Sequence, residues 1–166
     1  MVSSGSLDDR LGKIRLVVLD VDGVLTDGRL TFDSNGTEYK TFNVQDGYGL
    51  RKLQSMNVVI GIITGRDSPI VTNRASELDI RYVIQGATDK GETLSKLLNE
   101  LSLSAEQSLF VGDDEPDLPA MRVAGITVAV ANAVDVVKER ADWVTVRNGG
   151  EGAVREVCDR LYVALT

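Results

Sequence analysis

The feature of this chain that most constrains its fold is an alternation of short apolar runs with longer amphipathic segments. The apolar runs are rich in β-branched residues, have the length of strands, and lie at residues 14–19, 58–63, 81–84, 108–111, 126–130 and 143–146. The segments that fit helical spacing lie at residues 67–78, 90–101, 116–124, 133–141 and 152–165. This alternation predicts an α/β fold with a doubly wound, mostly parallel sheet and helices on both faces.

The segment 29–42 breaks the alternation. Two β-rich pieces flank the turn Asp33-Ser34-Asn35-Gly36, and Asn-Gly between such pieces is a strong hairpin signal. A hairpin at this point is expected to project from the carboxyl edge of the sheet, where it could cover a site or bind another subunit. We find no repeat, low-complexity tract or linker, so residues 1–166 are interpreted as a single domain.

Composition excludes several kinds of chemistry. The chain has no histidine, which rules out imidazole bases, histidine-ligated zinc and Ser-His-Asp triads. Its one cysteine, Cys158, can form no internal disulfide, and its amphipathic surroundings favour a packing role. A net charge of −7 opposes nonspecific nucleic-acid binding. Because the apolar runs are strand-sized and residues 1–9 lack the apolar core of a signal peptide, we expect a cytoplasmic protein with no membrane partner.

Two carboxylates follow the first predicted strand directly. Asp20 and Asp22 are separated by one residue and are followed by Gly23. Ligands of open α/β sheets bind beyond the carboxyl ends of the strands, so this is a place where an aspartyl nucleophile beside Mg2+ is expected. Taken alone, the segment also fits an ordinary strand-to-loop turn.

Three further segments carry matching signals. Thr64 and Arg66 follow the second strand, and Lys90 begins a predicted helix. Asp113 follows the strand at residues 108–111 and opens a cluster with Asp114, Glu115 and Asp117. Each signal alone also fits a helix cap, a surface charge or a solvated turn. Together, in the order Asp-x-Asp, Thr, Lys, Asp-Asp, they favour a phosphate-handling site, because hydroxyl, cation and Mg2+ can all bind phosphate oxygens.

These four motifs resemble those of the haloacid dehalogenase superfamily, across nearly the whole chain. The resemblance implies a Rossmann-like domain of the capless subclass, in which neighbouring subunits help to close the site. The chain is most similar to the 3-deoxy-D-manno-octulosonate 8-phosphate phosphatase family, on four segments: residues 20–28, residues 42–50, residues 64–68 with Asn73 and Arg74, and the Gly-Gly segment at residues 149–156. This resemblance implies a homotetramer assembled through the hairpin, with the C-terminal segment 149–166 reaching an active site. It also implies a role in lipopolysaccharide sugar synthesis.

The resemblance implies roles for the motif residues. Asp20 would attack phosphorus and Asp22 would act as acid and then base. Mg2+ would be bound by Asp20, the backbone carbonyl of Asp22, and Asp113. Thr64 and Lys90 would bind phosphoryl oxygens, whereas Asp114 and Asp117 would orient Lys90 or metal-bound water.

Specificity is expected to come from residues outside the shared motifs. Arg66 and Arg74 are candidates for binding a sugar carboxylate, because a guanidinium matches its geometry. Gly47 and Tyr48 are further candidates for contact with the substrate. Asp67 and Glu151 stand where relatives often carry basic residues. Arg155 either reaches an anion or solubilises the last helix.

Two other functions stay open. A phosphatase for nonulosonate (sialic-acid-type) 9-phosphates would use the same chemistry on a sugar one carbon longer. A noncatalytic scaffold partner with the same fold would need no complete set of Asp20, Asp22, Thr64, Lys90 and Asp113.

Overall fold

The computed structural model describes residues 5–166. The predicted domain bounds and the segment at residues 1–9 fall partly outside this range. In chain order the strands are β1 (Leu16–Leu19), β2 (Thr31–Phe32), β3 (Glu38–Tyr39), β4 (Val59–Ile63), β5 (Tyr82–Ile84), β6 (Ser108–Gly112), β7 (Ile126–Ala129) and β8 (Trp143–Val144). Six of them form one sheet in the order β5-β4-β1-β6-β7-β8, and every pairing in it is parallel. The predicted parallel α/β fold is confirmed.

Within residues 5–166, seven α-helices accompany the strands. They are α1 (Leu7–Leu11), α2 (Val44–Gln54), α3 (Pro69–Glu77), α4 (Lys90–Leu101), α5 (Leu118–Val123), α6 (Asp135–Arg140) and α7 (Ala153–Leu165). The segment predicted as one helix at residues 116–124 is a one-turn 3-10 helix, Glu115–Asp117, followed by α5. Within residues 5–166, no helix combines the length and the apolar character needed to cross a membrane.

The strand order creates one switch point. The chain leaves β1 toward β4 on one side, while β6 lies on the other side of β1 and continues toward β7. Right-handed crossovers place α2 and α3 on one face of the sheet and α4 to α6 on the other. In agreement with this, α2 packs against α7 and α4 packs against α5. The carboxyl ends of β1 and β6 therefore meet at the crevice where ligands of doubly wound sheets bind.

The buried pattern of the sheet follows from its position. All four residues of β1 are fully buried because the strand is covered on both faces. In α4, Leu94, Leu97 and Leu98 are buried as their spacing predicts, and Asp89 caps the helix by accepting the N–H of Glu92. These features fix the start of α4, and with it Lys90, against the sheet.

Two helices were not predicted, α1 and α2. The sequence of α2 contains Gly47 and Gly49, which disfavour helix on propensity alone. The structure gives a packing reason for Gly49: a Cβ atom there would lie 2.9 Å from Cβ of Cys158 and 3.0 Å from Cδ of Arg155. The glycine thus lets α2 approach α7 closely, and this packing outweighs the low propensity.

The predicted hairpin is present as β2 and β3, which pair antiparallel outside the main sheet. Its apolar side chains Leu30, Phe32 and Tyr39 are each about half exposed. Within residues 5–166 the hairpin is the insertion that follows the first strand, and the chain carries no cap domain there.

Candidate active site

A cleft of about 340 Å3 opens at the carboxyl edge of the sheet. It collects residues that follow β1, β4 and β6 together with the first residue of α4. The lining residues are Asp20, Asp22, Thr64, Gly65, Arg66, Ala87, Thr88, Lys90, Asp113, Asp114, Pro116, Asp117 and Pro119. The four motifs found in the sequence therefore meet at a single place.

A buried charge centre forms the floor of the cleft. The ammonium of Lys90 donates to Asp20 Oδ1 at 2.8 Å and to Asp117 Oδ1 at 2.6 Å. All three residues are at most 7% exposed. Burial by itself would lower the pKa of Lys90, but the charges of Asp20 and Asp117 outweigh it and the pKa is raised. Lys90 is therefore held as a cation between two carboxylates.

Asp113 brings a third carboxylate to this centre. Oxygens of Asp20, Asp113 and Asp117 all lie within 4.8 Å of one another. Burial, and then the charges of neighbouring carboxylates, raise the pKa of both Asp20 and Asp113. One lysine thus leaves a surplus of negative charge, which a bound divalent cation would neutralise. Carboxylate oxygens in this number fit Mg2+, which prefers oxygen ligands and keeps several waters.

Asp117 differs from the other two acids, because both of its oxygens already accept hydrogen bonds. Oδ1 accepts from Lys90, and Oδ2 accepts the backbone N–H groups of Asp113 at 2.8 Å and Asp114 at 3.3 Å. Asp117 therefore ties the loop after β6 to Lys90. Asp114 caps the 3-10 helix and is exposed toward the mouth of the cleft.

The loop after β1 is folded tightly under the cleft. The carbonyl of Val21 accepts the N–H groups of Val24, Leu25 and Thr26. Gly23 has a φ of +92°, and a Cβ atom there would overlap the carboxylate of Asp113. Only glycine satisfies both the backbone conformation and the close approach of Asp113.

The Gly-Gly segment supports this loop from behind. Asn132 donates to the carbonyl of Gly23 at 3.1 Å and accepts the N–H of Gly149 at 2.6 Å. The N–H of Gly150 donates to the carbonyl of Val24 at 3.1 Å. A Cβ atom on Gly149 would overlap the carbonyl of Gly23, so the main chains of these two glycines are in direct contact. The segment therefore contacts the loop after β1 mainly through its main chain.

The mouth of the cleft holds a ring of four alternating charges. Lys40 donates to Asp22 Oδ1 at 2.5 Å and lies 3.1 Å from Glu38 Oε1. Arg66 donates to the same Glu38 oxygen at 2.9 Å, and its Nε lies 3.9 Å from Asp22 Oδ2. The pKa of Glu38 is held below its ordinary value, chiefly by the hydrogen bond from Lys40. We call these four residues the charge ring.

Three predicted substrate-binding residues do not line the cleft. Gly47, Tyr48 and Arg74 line a separate pocket of about 240 Å3 between α2 and α3. Arg74 donates to Glu77 at 2.9 Å and stacks 5.6 Å from the ring centre of Phe42. Arg66 and Arg74, both candidates for binding a sugar carboxylate, therefore line different pockets of the subunit.

The remaining candidates lie at the periphery. Arg155 donates through Nε to both oxygens of Asp159 and lies over the ring of Tyr48. Asp67 and Glu151 are both exposed, and Glu151 accepts a hydrogen bond from Asn148.

Sequence reasoning missed three residues with direct roles in this arrangement, Glu38, Lys40 and Asn132. The alternating charges of Glu38 and Lys40 on the second arm of the hairpin were a usable signal, since residues two apart on a strand share a face. For Asn132 the sequence offers only its place just after the strand at residues 126–130. A position beyond a strand's carboxyl end is where a site residue is expected.

Comparison with known proteins places these features in a family. Residues 80–157 match the family model of haloacid dehalogenase-like hydrolases. A 3-deoxy-D-manno-octulosonate 8-phosphate phosphatase of Salmonella typhi is 48% identical over 151 residues, which cover 91% of this chain and 80% of that protein.

Solved structures agree with this similarity. The phosphatase of the same name from Moraxella catarrhalis, in complex with magnesium, phosphate and the sugar KDO, is 42% identical with a TM-score of 0.92. That match covers 95% of this chain and 90% of the other. A cobalt-bound relative from Haemophilus influenzae is 40% identical with a TM-score of 0.91, over 94% of this chain and 91% of the other.

Proposed function

The chain belongs to the 3-deoxy-D-manno-octulosonate 8-phosphate phosphatase family of haloacid dehalogenase-like hydrolases, and from this premise we propose that it hydrolyses that ester to KDO and inorganic phosphate. The observation that carries the proposal is the convergence of Asp20, Asp22, Thr64, Lys90 and Asp113 on one cleft. The names of the relatives favour the eight-carbon substrate over the nine-carbon alternative. A noncatalytic scaffold would have no need for three carboxylates that repel one another around the buried Lys90.

In the first step, a carboxylate oxygen of Asp20 attacks the phosphorus atom. The bond between phosphorus and the sugar oxygen breaks, and its electron pair stays on that oxygen, which takes a proton from Asp22. Asp20 suits the role of nucleophile because Lys90 fixes its side chain by a hydrogen bond at 2.8 Å. The product of this step is an aspartyl-phosphate on Asp20 and the free sugar.

In the second step, water attacks the phosphorus atom of the aspartyl-phosphate. Asp22, now ionised, accepts a proton from this water, and the bond between phosphorus and the Asp20 oxygen breaks. Inorganic phosphate leaves and both carboxyl groups return to their starting states. One carboxyl can serve both steps because the leaving oxygen and the attacking water use the same side of the phosphorus.

Asp20, Asp113 and the backbone carbonyl of Asp22 would hold Mg2+. When bound, the ion supplies positive charge that offsets the repulsion between the nucleophile and the anionic phosphoryl group. Lys90 and Thr64 would bind the remaining phosphoryl oxygens, and Asp117 orients Lys90 from behind. Arg66, at the mouth of the cleft, would bind the sugar carboxylate through its planar donor pair.

The proposed assembly is a homotetramer that uses the hairpin as an interface. The half-exposed Leu30, Phe32 and Tyr39 support this, because large apolar side chains grouped on one projection mark interaction surfaces. Since Gly47, Tyr48 and Arg74 do not line the cleft of their own subunit, we propose that they serve the cleft of a neighbouring one. Light scattering coupled to size exclusion tests the assembly, and cell fractionation tests the cytoplasmic location expected from the sequence.

Phosphate release in the presence of Mg2+ tests the substrate. The panel contains the octulosonate 8-phosphate, a sialic-acid-type 9-phosphate, hexose phosphates and p-nitrophenyl phosphate, with Asp20→Asn as the inactive control. We expect the highest kcat/KM for the octulosonate ester. A preference for the nine-carbon ester would keep the mechanism and replace the substrate, whereas no release from any ester would reject the proposed activity.

A further inference from the structure

The charge ring contains two residues to which the proposed reaction assigns no part, Glu38 and Lys40, and of these Lys40 contacts Asp22 directly. We propose that Lys40 is a positioning residue that fixes the carboxylate of Asp22 for both of its proton transfers. This inference rests on the proposed function and extends it to the hairpin, which thereby becomes part of the active site of its own subunit.

Burial is the first argument. The side chain of Lys40 is only 2% exposed, although it lies on the arm of a projecting hairpin. Lysine at such a place normally extends its ammonium into water, because burying that charge without partners is costly. Here the ammonium instead turns inward and contacts two carboxylates, Asp22 and Glu38. A desolvated ion pair holds its geometry more firmly than an exposed one.

The freedom of Asp22 is the second argument. Asp22 lies in the loop after β1, and its side chain is 21% exposed. Burial alone therefore does not fix the two side-chain torsions that orient its carboxylate. Asp22 must face the same side of the phosphorus twice, first with a proton for the sugar oxygen and then without one for the attacking water. Lys40 contacts one oxygen at 2.5 Å, and Arg66 lies 3.9 Å from the other. This arrangement selects one orientation of the carboxylate before the substrate arrives.

The support behind Lys40 is the third argument. Glu38 accepts from Lys40 on one side and from Arg66 on the other, so the ring is closed. Two acidic and two basic residues alternate in it, and its net charge is zero while Asp22 is ionised. Lys40 is therefore not free to swing toward a substrate anion without leaving both of its carboxylate partners.

The experiment compares leaving groups. Lys40→Met keeps the apolar stem and removes the charge, Lys40→Arg keeps the charge, and Glu38→Gln loosens Lys40 without touching Asp22. Lys96→Met is the matched control, because Lys96 is exposed on α4 and pairs only with Glu92 within the described residues. Circular dichroism and melting temperature establish that each variant is folded. Kinetics are measured on the sugar phosphate that the wild type prefers and on p-nitrophenyl phosphate.

For Lys40→Met we expect kcat on the sugar phosphate to fall about 10- to 100-fold while KM changes less than about threefold. With enzyme in excess, the single-turnover release of p-nitrophenol should change less than about threefold, since a phenolate leaves without a proton from Asp22. Lys40→Arg should recover most of the loss, and Glu38→Gln should show the same pattern more weakly. Lys96→Met should match the wild type.

Three results would overturn the inference. A rise in KM at unchanged kcat would make Lys40 a substrate-binding residue. Equal losses of single-turnover rate on both esters would mean that Lys40 acts on the phosphoryl site or on the fold. No change in rate on either ester would mean that Lys40 has no role in the reaction. If Lys40→Met does not fold, Glu38→Gln provides the test. Its loss of rate on the sugar phosphate is then compared with its loss of rate on p-nitrophenyl phosphate.

Failure of the proposed function would be visible separately. It shows in the wild type, as the choice of sugar phosphate or as the absence of any turnover. The inference about Lys40 instead depends on the ratio between variant and wild type for two leaving groups, whichever sugar phosphate the wild type prefers.

Discussion

The inner half of the cleft, formed by Asp20, Lys90, Asp113 and Asp117, differs from the outer half, the charge ring, in what holds the charges in place. The inner residues follow the central strands β1 and β6 or begin helix α4, which packs against the sheet. Asp20, Lys90 and Asp117 are at most 7% exposed. Outer residues come from loops and the hairpin, and the side chain of Arg66 is 44% exposed. The sheet thus fixes the groups that any phosphate ester needs, while loops and the hairpin carry the groups proposed to meet the rest of the substrate.

The largest effect is expected when the proposed nucleophile, Asp20, is removed from the inner half. We expect Asp20→Asn to lower kcat on every substrate by at least about 10^4-fold, the order of loss seen when a nucleophile is removed. Phosphate release and circular dichroism together check this. Appreciable residual turnover by a folded variant would sink the assignment of Asp20.

Neutralising Asp113 should separate stability from activity. We expect Asp113→Asn to lose at least about 100-fold in Mg2+-dependent kcat. Without Mg2+ it should melt at a higher temperature than the wild type near neutral pH. Burial, and then the charges of Asp20 and Asp117, raise the pKa of Asp113 to about 8, so the wild type must bind a proton at this carboxyl on folding, which an amide does not require. About 1 kcal/mol corresponds to about 2–4 °C for a chain of this size.

Scanning calorimetry with and without Mg2+ measures the change in stability, and phosphate release measures the loss of kcat. Asp135→Asn is the matched control, because Asp135 is exposed on α6 and does not line the cleft. An Asp113→Asn protein that still gains stability from Mg2+ as the wild type does would contradict a metal-binding role.

The outer half should respond selectively. We expect Arg66→Ala to lower kcat/KM for the octulosonate ester about 10- to 100-fold, as the loss of a charge-assisted hydrogen bond predicts. The loss on p-nitrophenyl phosphate, which has no carboxylate, should be less than about threefold. Equal losses on the two esters would argue against carboxylate recognition by Arg66.

Arg74→Ala tests the proposed contribution from a neighbouring subunit. We expect a loss that is again larger for the octulosonate ester than for p-nitrophenyl phosphate. Because Arg74 also contacts Glu77 and Phe42 in its own subunit, the melting temperature must be measured alongside. An equal loss on both esters, with a lowered melting temperature, would assign Arg74 a structural role only.

The smallest effects are expected outside the cleft, where two acids near Arg155 have opposite pH dependences. Asp46 accepts the N–H of Arg155 through Oδ1, its Oδ2 has no partner, and burial raises its pKa to about 6. The folded state therefore binds this proton more tightly than the unfolded chain. Stability falls as the pH rises from about 4 to about 6, and the penalty is complete above that range.

The pKa of Asp159 is shifted in the opposite direction, downward. Partial burial opposes the shift, but Lys52 and Arg155 lower the pKa of Asp159, so its charge stabilises the fold above the unfolded pKa and is lost as the pH falls. We expect Asp46→Asn to add about 1–2 kcal/mol at pH 7.5 and nothing at pH 4. Asp159→Asn should cost about 0.5–1 kcal/mol at pH 7.5. Urea unfolding of both variants at both pH values measures these changes in the free energy of unfolding. If both variants were stabilised or both were destabilised at pH 7.5, the opposite pH dependences of the two acids would be refuted.

The inner half of the cleft could be found from the sequence because its position follows from one rule. Asp20, Thr64 and Asp113 each follow an apolar run, and parallel strands bring their carboxyl ends to one edge. The hairpin was equally visible, since its turn carries Asn35 and Gly36. These are local signals, and the fold class follows from their repetition along the chain.

The outer half could not be assembled from the sequence, because the direction in which a hairpin folds back is not a local property. Lys40 and Asp22 are 18 residues apart, and no pattern between them states that they touch. Helix α2 was missed for a related reason, since Gly49 serves packing against Cys158, which is more than 100 residues away in the chain. Contacts of this kind appear only when whole elements are placed together.

The backbone contact between Gly149 and Gly23 has a consequence for synthesis. Asp20, the proposed nucleophile, is made before much of its support. Of the two strands that flank its own, β6 is made about 90 residues later, and the segment that supports its loop is made later still. A nascent chain that stops before residue 149 would carry Asp20 and Asp22 but not the Gly149 main chain that contacts their loop. Catalytic competence is thus tied to synthesis of the chain at least as far as residue 149, so that copies terminated before it are expected to bind or hydrolyse little of the cell's sugar phosphate.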